Sequence, residues 1–328
     1  MTPKINVRTI LQYVVPPIIT VGLCVFLYRD VDWHEVAEGL STTNFFLIGA
    51  FMLCNMLAMF ARAQRWRLQL NAMGLHPGFG DMSRSIFGTY AVNLIFPRLG
   101  EIWRCTYISR VTRSSFSVVF GSMIADRLAD SLCILLLTLT TFVIATPAMA
   151  SFAAESDLIA RLTTIASSPW VIFILFLLFI LCVMCVYAPY KPFVTIRTFG
   201  TNMWHGFMAL FTMRSGRGQW LLLTACIWAG YGAGMLFSLY AYPPTAALIA
   251  DQGLLCAMLT FVFGSLAMAI PSNGGIGPWQ ASVMISLCGI YGMEPATALT
   301  FATINVAFST LLTIALGLYT FATVRIKK

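Results

Sequence analysis

Apolar positions in this chain do not alternate with polar ones at the period of an amphipathic helix or of a strand; they run on for about twenty residues at a time. The runs fall at about 10–28, 44–61, 116–146, 169–188, 219–241, 252–270, 276–293 and 296–322. About 20 apolar residues in α-helix cross a hydrocarbon layer of about 30 Å. In lipid only helices and closed barrels satisfy their own backbone, and barrel strands are alternating segments of about 10 residues. The pattern therefore predicts an all-α polytopic membrane protein, one integral membrane domain over residues 1–328. Lys4 and Arg8 ahead of the first run resemble a signal peptide, but the run ends in Tyr28-Arg29-Asp30 with no small-x-small cleavage site, so it reads as a retained first span.

Three stretches break the pattern. Residues 31–40 put Trp33, Val36, Ala37 and Leu40 on one helical face, which predicts a short interfacial helix. Residues 191–217 interleave Phe193, Ile196, Trp204, Phe207 and Phe211 with basic residues, as a helix on an anionic membrane surface does. Within 81–113, residues 83–96 are mostly apolar with Gly88, Thr89 and Asn93, and are too short to span. They read as a re-entrant or interfacial helix that breaks at Pro97. A second break, Pro271-Ser-Asn-Gly-Gly-Ile-Gly-Pro278, separates two late runs. If these are two crossings the chain has eight membrane segments; if they are one re-entrant hairpin it has six.

Composition agrees with the pattern. Hydrophobic residues make up 59% and charged residues 10%, against about 25% charged in soluble domains, which excludes a soluble globular chain and a disordered one. Charge sets the orientation. The N-terminus, 62–113, 188–219 and the C-tail together carry 17 Lys and Arg, against Arg29 and Arg161 on the other side. Asp30, Asp32, Glu35, Glu38, Glu155, Asp157, Asp251 and Glu294 all fall on that second side. The positive-inside rule then predicts both termini cytoplasmic, in a bacterial cytoplasmic (inner) membrane. The net charge of +8 is thereby a topology signal, and no nucleic-acid motif accompanies it. The nine cysteines are odd in number, and the Cys182-x-x-Cys185 pair lies deep in an apolar run, where small core hydrophobes are expected. His34, His76 and His205 have no ligand-like spacing, so no metal or cofactor is expected.

The two breaks share P-x-x-G-x-I, in Pro97-x-x-Gly100-x-Ile102 and Pro271-x-x-Gly274-x-Ile276, at an offset of 174 residues. Neighbouring runs match at similar offsets: 44 with 219, and 116 with 296. The first run matches the fourth at 159. This predicts a duplication with halves 1–165 and 166–328. On the re-entrant count it becomes an inverted-topology repeat, in which corresponding Gly/Pro breaks point to the binding site. Half-helix N-termini at such breaks would offer N–H groups to an anionic headgroup.

Two groups of charge could carry chemistry. Arg98, Glu101 and Arg104 recur every third residue, which predicts one helical face with two guanidiniums flanking a carboxylate. Arginine forks suit phosphate, so a phospholipid-headgroup site is one reading and a cytoplasmic salt-bridge cluster the other. Asp126, Arg127 and Asp130 interrupt a span, where an unpaired charge costs about 2.5–3.5 kcal/mol or more. They are expected to face the protein interior, either as a polar or proton-linked pathway or as a buried Arg–Asp pair, with Arg98 and Arg104 as further candidate partners. Arg62, Arg65 and Arg67 with Trp66 read as an inside anchor belt with an interfacial tryptophan. Asn305, alone in the last run, reads as an interhelical hydrogen-bonding residue.

The string Asn93-Leu-Ile-Phe-Pro-Arg-Leu-Gly-Glu-Ile-Trp-Arg104 resembles the N-x-x-x-P-x-x-G-E-x-x-R signature of the lysylphosphatidylglycerol synthase transmembrane-region family, the flippase-like domain of the multiple peptide resistance factor. ADRLAD at 125–130 resembles its D-R-x-x-D element, PSNGGIG at 271–277 its P-x-x-G-G-x-G element, and RAQRW at 62–66 the end of its second span. The ordered set covers about residues 45–322. Gln280 stands where the family pattern implies an acid.

The resemblance implies a lipid flippase that moves a phospholipid between leaflets: aminoacylated phosphatidylglycerol, or another anionic or polyprenyl-linked lipid. It implies substrate contacts at Asn93, Pro97, Arg98, Gly100, Glu101, Arg104, Asp126, Arg127 and Asp130, and at Pro271, Asn273, Gly274, Gly275 and Gly277. The family's soluble aminoacyl-transfer domain has no counterpart in these residues, so the chain is not expected to be an enzyme, and a separate lipid synthase is an expected partner. An intramembrane lipid-modifying enzyme, with Glu101 or Asp126 as base, and a membrane scaffold for that synthase are the alternatives.

Overall fold

Asn44 opens the first long helix, its Oδ1 accepting from the amides of Phe46 (3.0 Å) and Leu47 (3.4 Å). The computed structural model describes residues 33–145, 198–205, 207–208 and 216–324. The expected spans at 10–28 and 169–188, both termini, the Cys182/Cys185 pair and most of 191–217 lie outside the described residues. All regular elements among the described residues are helical: α1 (Trp33–Thr42), α2 (Phe45–Ala72), α3 (Phe79–Ile95), α4 (Leu99–Thr112), α5 (Phe116–Ile144), α6 (Arg217–Ala241), α7 (Pro243–Gln252), α8 (Leu254–Ala267), α9 (Pro278–Met284) and α10 (Pro295–Thr323). A π-helical stretch, Ile285–Ile290, prolongs α9. Four helices, α2, α5, α6 and α10, are long and apolar enough to cross a membrane, and α7 and α8 form a pair bent by 118° at Gly253.

The long helices α2 and α6 run antiparallel through the centre. Asn44 N–H at the start of α2 donates to Ala241 O at the end of α6 (2.8 Å), while Arg65, two-thirds along α2, reaches Thr224 near the start of α6. Gly230 and Gly234 let the α6 backbone approach Cys54, Ala58 and Phe51 of α2. One apolar core gathers around Ile48, Leu239, Leu287 and Phe301, at the end where α2 begins. A second gathers around Trp66, Met82, Ile86 and Ile108, at the end where α2 finishes. Outward faces stay apolar, with Leu128, Leu132, Leu135, Leu139 and Val143 of α5 all exposed. Among about 20 apolar residues per helix, that leaves no solvent but lipid for those faces. The protein is integral to a membrane.

The helix expected over 31–40 is α1. Only Gly39 of α1 is buried, against Tyr242 and Thr300, and Trp33 and Leu40 are left outward. Of the basic amphipathic stretch, residues 198–205 are helical, and Phe199 packs on Phe120 at 6.4 Å between ring centroids.

Helices α3 and α4 form a hairpin. Residues next to a proline avoid the helical region, so Phe96 is extended (φ −125°) and α3 stops before Pro97. Both feet of the hairpin lie at one end, where Tyr107 Oη donates to Asp81 Oδ1 (2.7 Å). The α3 residue Gly88 lies so close under Trp103 of α4 that a Cβ there would overlap the indole ring. Helices α8 and α9 form a second hairpin, with Gly264 of α8 packed the same way under Trp279 of α9. Helices of 17 and 14 residues in the first hairpin rise about 1.5 Å per residue. At 14 residues α4 is too short to span.

Candidate functional site

The two hairpin tips meet. Gly274 N–H donates to Asn93 O (3.0 Å), Asn273 Nδ2 to Ile95 O (3.3 Å), and Arg98 Nη2 to Ala269 O (2.8 Å). Two pieces of sequence more than 170 residues apart are thus joined by backbone-directed bonds at the point where both helices are broken. The tight turn of the second tip uses Gly274, Gly275 and Gly277 at positive φ (63°, 86° and 90°), a region that favours glycine. The Leu94 side chain fills the space a Cβ on Gly274 would need. Pro271 is exposed at this tip.

The first tip explains its own motif. Asn93 Oδ1 accepts from Gly100 N–H (2.8 Å), while its Nδ2 donates to Glu101 Oε2 (3.3 Å). One side chain therefore satisfies an open amide at the start of α4 and holds the first carboxylate of that helix. Gly100 is required because a Cβ there would overlap Thr89 O and Asn93. At the second tip Gln280 plays a similar part from the other direction, accepting from Gly277 N–H through Oε1 (3.0 Å). The amide at Gln280 is thus part of a cap. Gly100→Ala is expected to destabilise the protein by about 1–3 kcal/mol through overpacking, read as a lower unfolding temperature in detergent. An unchanged temperature would mean that the tip adjusts freely.

The expected single face of Arg98, Glu101 and Arg104 does not form. Arg98 is the residue before α4, in the left-handed region at φ 66°, so it stands outside the helical period. It points across to the other hairpin, Glu101 points to Asn93, and Arg104 turns inward. Arg104 is fully buried, its guanidinium 4.7 Å over the Trp66 ring. Its Nε, Nη1 and Nη2 have no hydrogen-bond partner among the described residues.

Asp126 and Asp130 do face the interior, but their partners are not Arg127, Arg98 or Arg104. Arg65 binds Asp126 Oδ1 (2.6 Å through Nη2) and Asp130 Oδ1 (2.8 Å), and Arg62 binds Asp130 Oδ2 (2.5 Å). Arg65 also donates to Thr224 Oγ1 (3.3 Å) and lies 5.3 Å over Trp220; Arg62 lies 5.8 Å over Tyr231. This corrects the anchor-belt reading of Arg62, Arg65 and Trp66, all of which are buried. Two arginines three apart on α2 meet two aspartates four apart on α5, and pairing inside the protein costs less than either partner alone in lipid. Arg67 does lie at the rim, donating to Pro77 O (3.0 Å). Trp66 Nε1 donates to Ser122 Oγ (3.1 Å), so its indole is a packed floor, not an interfacial anchor. Arg127 is half-buried and approaches Glu101 Oε1 at 3.9 Å. Asn305 is buried with its Nδ2 unpartnered among the described residues, so that nitrogen makes no interhelical bond there.

Arg62, Arg65, Tyr90, Thr224 and Tyr231 were not among the expected site residues. Tyr90 and Tyr231 share a hydrogen bond (3.2 Å) beside the Arg62–Asp130 pair. At the far end a cleft of about 240 Å³ is lined by Glu35, Glu38, Tyr242 and Thr300. Burial and then the two glutamates push the Tyr242 hydroxyl up in pKa.

The family model of the lysylphosphatidylglycerol synthase transmembrane region matches this chain over residues 13–317. The chain belongs to the lysylphosphatidylglycerol synthase transmembrane-region family. No curated protein matches the chain. Membership in this family, together with the apolar helices, identifies a membrane protein of lipid metabolism.

Proposed function

We propose that the chain moves a phospholipid between leaflets, its headgroup passing where the two hairpin tips touch. The observation that carries this reading is that contact: two broken helices, from distant parts of the chain, meet beside a buried group of arginines and carboxylates. Broken backbone at membrane depth is tolerated where it is buried in protein or lines a water-filled path, and here the carbonyls of Asn93, Ile95 and Ala269 accept from the opposite tip. Arg98 and Glu101 sit at the boundary between the tips, where a headgroup parting them would meet both.

The halves are related, in this reading, as an inverted repeat with six crossings and two re-entrant hairpins. The support is reciprocal packing. Helix α3 of the first hairpin packs on α10, Ala91 against Gly317, and α8 of the second packs on α5, Phe263 and Phe142 lying 6.2 Å apart. The glycine-under-tryptophan contact occurs once in each hairpin, its two partners fifteen positions apart in both. The aromatic and acidic cleft at Glu35 and Glu38 lies at one end and Arg110 and Arg113 at the other, so the positive-inside rule makes the end holding the first hairpin's feet cytoplasmic.

The test is leaflet exchange of labelled anionic phospholipids in proteoliposomes. Glu101→Ala should bring exchange down to the protein-free background while the protein still inserts and remains monodisperse in detergent. Exchange at the wild-type rate would remove Glu101 from the path. Product formation by the pure protein in detergent, where no leaflets exist, would favour an enzyme instead.

A further inference from the structure

The buried charge around the first tip does not balance. Among the described residues Arg62, Arg65, Arg104 and Arg127 stand against Asp126, Asp130 and Glu101, four guanidiniums for three carboxylates. Arg62 and Arg65 engage both aspartates at 2.5–2.8 Å. That leaves Arg104 and Arg127 with Glu101 alone. Glu101 lies one turn before Arg104 on α4 and only approaches Arg127, at 3.9 Å. Arg104 is completely buried with all three nitrogens unpartnered, and Arg127 Nε is buried and unpartnered as well.

A guanidinium cannot shed its proton to escape this situation, and an uncompensated buried cation costs several kcal/mol even after relaxation. The Trp66 face supplies part of the compensation by cation–π attraction, but it accepts none of the in-plane N–H bonds. Those donors form a planar fork, which fits the paired oxygens of a phosphate group.

We propose that Arg104 and Arg127 hold one monoanionic phosphodiester beside Glu101, with Trp66 as the floor of the site. One negative charge brings the group to neutrality, whereas a dianion would overshoot it. The proposal rests on the leaflet-exchange reading and names its substrate class, a phospholipid with a single phosphodiester and no compensating headgroup cation. The site is single. On the second hairpin the residue following Trp279 is the uncharged Gln280, where the first hairpin has Trp103 followed by Arg104.

The test is calorimetric titration of the full chain in detergent with three probes: dihexanoyl-phosphatidylglycerol, dihexanoyl-phosphatidylcholine and inorganic phosphate. Phosphatidylglycerol should bind one per chain and more tightly than the other two. Arg104→Gln and Arg127→Gln should each weaken it by about tenfold or more, the loss of charged hydrogen bonds. Glu101→Gln should tighten it several-fold, because the competing carboxylate is gone. If Arg104→Gln does not fold, Arg127→Gln and Glu101→Gln, both part-exposed positions, carry the test. Unchanged affinity in those two variants overturns the proposal, as does inorganic phosphate binding as tightly as the diester. Because no leaflets are present, binding that persists while vesicle exchange fails would sink the transport reading and leave the site. Exchange that depends on Glu101 without this binding would do the reverse.

Discussion

Arg65→Met is expected to lower stability by about 3–5 kcal/mol, the cost of breaking a buried ion pair from one side. Arg65 is fully buried and contacts both Asp126 and Asp130. Its removal leaves Asp126, also fully buried, with no cation: Asp126 Oδ2 is already unpartnered, and the remaining arginine, Arg62, is engaged by Asp130. The measurement is the unfolding temperature in detergent, followed by the monodisperse fraction on size exclusion. The double variant Arg65→Met with Asp126→Leu removes both charges, and replacing such a pair by apolar residues is often neutral or stabilising. It should therefore recover most of the loss. If the single variant is as stable as the wild type, or the double variant is no better than the single, the ion pair is not what joins α2 to α5.

Much of the fold was legible because lipid imposes long apolar helices. The expected runs at 44–61, 116–146, 219–241 and 296–322 correspond to α2, α5, α6 and α10. The ends were less so. Helix α2 continues to Ala72, past the apolar run, because Arg62 and Arg65 are not at a boundary but reach into the protein. A residue-by-residue hydropathy reading puts Arg62 and Arg65 at an interface; what distinguishes a buried arginine is the carboxylate facing it, and that depends on two helices 61 and 68 residues apart in the chain. The spacing signal existed, in arginines at i, i+3 and aspartates at i, i+4, but nothing in either segment alone says which helix it faces.

The tips show the same division. The breaks at Pro97 and at Pro271 were readable from backbone chemistry, since proline and positive-φ glycines stop helices wherever they occur. That the breaks touch, through Asn93 O, Ile95 O and Ala269 O, was not readable, because backbone carbonyls leave no mark in sequence. The spacing of Arg98, Glu101 and Arg104 suggests one helical face from Arg98 on, whereas the helix begins at Leu99 after a left-handed residue. A fuller match between the hairpins was available. Phe87-Gly88-Thr89 with Trp103, and Phe263-Gly264-Ser265 with Trp279, share one offset of 176 throughout, and both glycines prove to be the close-packing points.

Joining the tips covalently should stop leaflet exchange. Asn273 Nδ2 reaches Ile95 O at 3.3 Å, so these two positions lie against each other across the tip contact. In a variant freed of its native cysteines, Ile95→Cys with Asn273→Cys is expected to form a disulfide on oxidation and to lose exchange by at least about tenfold, a barrier increase of about 1.4 kcal/mol. Reduction should restore the rate, and each single cysteine should be indifferent to oxidant. The physical reason is that the tip contacts are few, polar and replaceable: a headgroup bearing its own donors and acceptors can take over the bonds to Asn93 O, Ile95 O and Ala269 O, so the tips separate at little net cost. A disulfide cannot be exchanged in this way. If the cross-linked protein moves lipid at the uncross-linked rate, the tips are a fixed joint, and the path lies on another face of the bundle.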